Sequence, residues 1–88
     1  MTLGEYADKI TSVIIRHGLE PSIANALIRG TEGELLARNI SARDRQWFWR
    51  EVADQLSARR LVVATDVGLD PLAHARDKVL EHLDRISA

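Results

Sequence analysis

The segment SARDRQWFWREVADQLSARR, residues 41–60, holds both tryptophans, the only phenylalanine and five of the twelve basic residues of the chain. With most of its large anchoring side chains in one stretch, the chain has little choice but to pack its other segments around it. At 100° per residue, a helix here puts Phe48, Trp49, Val52, Ala53 and Leu56 on one side, the expected core face. Trp47 falls on the opposite side, with Arg43, Arg50 and Asp54 on one flank and Asp44 and Glu51 on the other. Ser41 with Asp44 three residues on resembles the capping pattern that starts a helix.

The flanking segments show the same period. Leu3, Tyr6, Ala7, Ile10, Val13, Ile14 and His17 recur at three- and four-residue steps, a single stripe over residues 2–17. Thr2 and Glu5 form a capping box, and Gly18 followed by Leu19 suits a C′ glycine with its hydrophobic contact. Pro21 opens a second helix through Ile23, Ala24, Leu27 and Ile28 that is expected to end at Gly30. Thr31 and Glu34 repeat the capping pattern, predicting a brief further segment that ends near Asn39. After Arg60 the apolar stripe loses phase, since Leu61 and Val62 fall on the wrong side of a continued helix, so a break is expected between Ser57 and Arg60, and LVVATDVG reads as a short helical turn or a buried extended connector. Asp70 and Pro71 then start a last helix whose apolar face is Leu72, Ala75, Val79, Leu83 and Ile86, with Leu80 beside it. His74, Asp77, Lys78, Glu81 and Arg85 form its solvated face. The expectation is an all-α fold: one compact domain over residues 1–88, a bundle of four to five helices joined by short turns.

At 88 residues such a domain buries only about 60% of its extended surface, which favours help from a partner or a second copy. There are no cysteines, hence no disulfide framework or thiolate site. The first residues, MTLGEYADKI, carry acids and no apolar run, unlike a secretory signal. No apolar run approaches the length of a membrane span. A soluble, cytoplasmic protein is expected.

No cluster carries chemistry. His74 and His82 are eight residues apart, and no histidine pair has the spacing that places two ligands on one metal. His17 reads as a core-edge residue or a cation at a helix end. Glu32 and Glu34, like Asp77 and Glu81, fall in segments patterned for exposure, where no cleft shifts a pKa. The serines and threonines lack an activating neighbour. The expectation is a protein that is not an enzyme, with no cofactor and no metal.

Residues 13–30, VIIRHGLEPSIANALIRG, resemble the spacing of a helix-turn-helix, with Gly18 in the turn and Leu19, Ala24 and Leu27 as inward positions. Ile14 stands where that motif usually has a small residue. The would-be recognition helix presents Ser22, Ile23, Asn25, Ala26 and Arg29. The resemblance implies a DNA-binding regulator, contacting nucleic acid through Asn25, Arg29 and Arg38. A net charge of −1 supplies no broad positive field for phosphates, so this is the second reading.

The first reading is a non-catalytic protein-interaction module, an adaptor, inhibitor or assembly factor, that binds a protein partner or a second copy of itself. Arg43, Trp47, Arg50 and Asp54 would carry the contact, since exposed aromatics with arginine are enriched at interface hot spots. Its rival is structural: another helix, such as the last, covers Trp47, and the arginines pair with Asp54 or Glu51.

Overall fold

The computed structural model describes residues 1–18, 20–63 and 71–87. They form four helices, α1 (Leu3–His17), α2 (Pro21–Ala37), α3 (Ala42–Val63) and α4 (Pro71–Ser87). No strand occurs among the described residues. α3 packs most extensively on α4 and then on α1, while α2 lies against α4 and α1.

Two expected caps form. The Glu5 N–H donates to Thr2 Oγ1 at 3.1 Å, and the Asp44 N–H donates to Ser41 Oγ at 3.1 Å. Each satisfies one of the amides that a helix start leaves without an intrahelical acceptor. Pro21 takes the first turn of α2, where its missing N–H costs nothing. The Asp70 cap, Leu19 and residues 64–68 of the LVVATDVG segment lie outside the described residues.

Three expectations about boundaries need correction. α2 does not stop at Gly30: one helix runs from Pro21 to Ala37, so the described residues form four helices, within the four to five expected. Thr31 is no cap; it is a buried position inside the helix. Ala24, Ile28, Thr31 and Leu35 are all buried and follow one another at four, three and four residues, so a single stripe passes through the glycine. Burial along that stripe outweighs the roughly 1 kcal/mol that an interior glycine costs relative to alanine. Gly30 and Gly33 sit on the exposed side, with nothing within 4 Å of where a Cβ would stand.

Just past the Arg38 C-cap, Asn39 closes α2 in the left-handed region at φ 60°. The Ile40 N–H donates to Leu35 O at 3.1 Å and the Asn39 N–H to Leu36 O at 3.0 Å. These are the two bonds of a Schellman motif, and Ile40 packs back on the core as its hydrophobic contact.

Gly18 is the second correction. It has φ −98° and is not a left-handed C′ residue. Glycine is needed there for closeness, because an added Cβ would meet Ile14 O at 2.9 Å. The third concerns α3, which has no break between Ser57 and Arg60 and continues to Val63. The end of an apolar stripe marks where burial stops. Ala58, Arg59 and Arg60 are good helix formers and carry the backbone onward.

The core is Ala7, Ile10 and Ile14 of α1, Ile28 and Leu35 of α2, the expected face of α3, and Leu72, Ala75, Val79 and Leu83 of α4. Phe48, Trp49, Val52, Ala53 and Leu56 are all buried, as the helical wheel requires. Gln55 fastens α3 to α1 by donating from Nε2 to Asp8 Oδ1 at 2.6 Å.

Candidate interaction surface and the buried charge cluster

α3 presents two unlike faces. Phe48 and Trp49 are 0% exposed, and the preceding residue, Trp47, is 46% exposed. Trp47 is covered only in part. Its ring edge leans on the start of α1, where a Cβ built on Gly4 would stand 3.8 Å from Cη2. Arg43, Arg50 and Asp54 are exposed. Among the described residues none of them makes an ion pair or a side-chain hydrogen bond, so the arginines are not paired with Asp54 or Glu51. The Glu51 carboxylate accepts from Gln55 Nε2 at 3.3 Å.

These four side chains form one stripe. At 100° and 1.5 Å per residue they fall within about 60° of the α3 circumference and along about 16 Å of its axis. The stripe carries a half-exposed indole, two unneutralised guanidiniums and one unneutralised carboxylate.

Asn25, Arg29 and Arg38 are not gathered in the same way. Asn25 is half-buried and Arg29 exposed on one side of α2, and Arg38, at its C-cap, falls about 140° around the helix from the first and about 180° from the second. Arg38 is also engaged: its Nη2 is 3.4 Å from Glu34 Oε1, and its Cζ lies 5.5 Å from the Tyr6 ring centroid. Burial, with the nearby Glu34 carboxylate adding to it and Arg38 opposing, lifts the Tyr6 phenol above its ordinary 10.0. The depression beside Tyr6, lined also by Leu3, Leu35 and Ile40, measures about 90 Å³, well short of the several hundred Å³ that hold a metabolite.

Inside the bundle lies a cluster that the pattern reading overlooked. Glu32 is not exposed: its carboxylate retains 13% of its accessible surface, Arg45 17% and His82 15%. Arg45 Nε stands 2.9 Å from Glu32 Oε1. That contact is an ion pair without hydrogen-bond alignment. Arg45 Nη1 donates to Ile40 O at 2.7 Å, and His82 Nε2 is hydrogen-bonded to Glu32 Oε2. The imidazole meets Trp49 edge-on, with centroids 5.1 Å apart. Trp49 meets Phe48 in the same way at 5.0 Å, and Phe48 meets Tyr6 at 5.4 Å. An unbroken run of rings and charges thus passes through all four helices. The buried Trp49 Nε1–H has no acceptor among the described residues.

A signal for this cluster was present. Arg45, Trp49, Val52 and Leu56 recur at four, three and four residues, which puts an arginine on the core face, where only a carboxylate or carbonyl partner makes it tolerable. Once α2 is one helix, Glu32 falls about 80° from Ala24 on the wheel, at the edge of its buried stripe.

The remaining histidines stand apart. His17 is exposed in the last turn of α1, where a cation favours the helix dipole, and His74 is exposed on α4. Among the described residues no three His, Asp or Glu side chains are grouped to hold a metal. No helix among them is long and apolar enough to cross a membrane. Comparison with protein-family models, curated proteins and solved structures finds no match for the chain.

Proposed function

We propose that the chain is a non-catalytic protein-interaction module of the cytoplasm, in the manner of an adaptor, inhibitor or assembly factor. Its contact face is the outer stripe of α3. One observation carries the reading: Trp47 is 46% exposed between arginines that have no partner among the described residues, on a helix whose adjoining aromatics are fully buried. A large amphipathic ring left half in water gains by being covered. A guanidinium without a carboxylate offers planar, bidentate recognition to one brought by a partner.

Trp47→Ala separates binding from folding. Capture of partners from the native cell should fall at least about tenfold, as for a hot-spot residue, while the helical circular dichroism and the unfolding midpoint stay near wild type. Undiminished capture would sink the assignment. Affinity for duplex DNA that falls steeply with salt and with Arg29→Ala would point instead to the regulator.

A further inference from the structure

The outer stripe of α3 has a property that the composition alone conceals: its four side chains are arranged to meet their own image. Arg43 and Asp54 lie equally far on either side of the midpoint between Phe48 and Trp49, and so do Trp47 and Arg50. When two identical helices pack antiparallel about a two-fold axis, residues equidistant from the axis on opposite sides face one another, and each contact occurs twice. An axis at that midpoint places Arg43 opposite Asp54 of the second copy, and Trp47 opposite Arg50 of the second copy.

From this self-complementarity we infer that the occupant of the α3 stripe is a second copy of the chain, joined as an antiparallel two-fold dimer. The inference rests on reading this face as a contact surface. Each copy supplies what the other lacks: a carboxylate for the unpaired Arg43, and an indole face for the unpaired Arg50, the geometry of a cation–π contact.

Other arrangements serve these groups less well: an antiparallel register centred on Trp47 sets Arg43 against Glu51 and Arg50 against Asp44 of the second copy, yet leaves Asp54 unpaired and calls on a Glu51 that Gln55 already engages. A parallel pairing sets each charge against its own copy. Sliding the antiparallel pair by four residues one way brings Arg43 against Arg50 of the second copy, and by three the other way brings Arg50 onto itself. All four side chains are exposed to such a neighbour, and none of the three charges is committed among the described residues.

Sedimentation equilibrium on the whole chain tests the arrangement through a charge exchange. Wild type should be a dimer. Arg43→Asp and Asp54→Arg should each weaken it by about 30-fold or more, because like charges then oppose one another at both symmetric contacts. Mixing the two single variants should restore dimers, since each then meets its complement twice, and the double exchange in one chain should do the same. Circular dichroism confirms that each variant is folded. Loss of dimer in Arg43→Asp without loss in Asp54→Arg, or failure of the mixture to recover, would overturn the pairing. A monomeric wild type overturns the second copy as occupant. In that case, Trp47-dependent capture of another protein leaves the contact-surface reading standing, and its absence removes both.

Discussion

Two tryptophans and three arginines within eight residues of α3 meet opposite fates. Trp49 is enclosed by Phe48 and His82, whereas Trp47 is half in water. Arg45 is held by Glu32 and the Ile40 carbonyl; Arg43 and Arg50 have no protein partner among the described residues. Residue type decides none of this. Phase on the helix does, because a step of two residues turns the side chain by about 200°. The inner arginine is tolerable only with its partners in place, and the outer pair is available because it has none.

The largest contrast should appear at the tryptophans. Trp49→Ala is expected to cost about 3–5 kcal/mol in urea unfolding, enough to abolish the fold in a domain of this size. Trp47→Ala should stay within about 1 kcal/mol of wild type. Equal losses would erase the division of α3 into two faces.

The arginines should follow at smaller scale. Arg45→Ala leaves the mostly buried Glu32 carboxylate with His82 alone and is expected to cost about 3 kcal/mol. Arg50→Ala should move stability by no more than about 0.5 kcal/mol. The same unfolding curves check both, and a neutral Arg45→Ala would mean that the buried cluster holds nothing together.

The smallest effect is expected at Tyr6. Its folded pKa is raised, so above pH 10.0 the unfolded phenol ionises first and the native state keeps its proton longer. The stabilisation is therefore whole below that pH and is lost as pH rises through the folded value. Tyr6→Phe should flatten the alkaline decline in stability and leave neutral pH unchanged. An identical decline in the variant would assign it to other groups.

Most of the architecture was legible because period and caps agreed. The stripes of α1, α3 and α4 named nearly every buried residue, and the Thr2 and Ser41 caps placed two helix starts. The errors share one cause, local punctuation taken as decisive. Gly30 and Thr31 look like a stop and a start, yet the four-three-four spacing through Leu35 outranks them. That misplaced boundary also hid Glu32, since a helix beginning at Thr31 turns its first residues to solvent. Arg45 was overlooked for a different reason: a charge on a core face has no meaning until the facing helix supplies its counterion, which no single stripe reveals. The exposure of Trp47 was legible as a phase, but whether a neighbouring helix covered it depended on tertiary packing.

Gly30 and Gly33 give the bundle a reserve. Both sit inside α2 with open space where a Cβ would stand, and each costs roughly 1 kcal/mol against alanine. The slack of about 2 kcal/mol is a sizeable share of the roughly 5–15 kcal/mol that holds an ordinary domain together. Alanine at both positions should therefore raise the stability of the bundle without touching the outer face of α3.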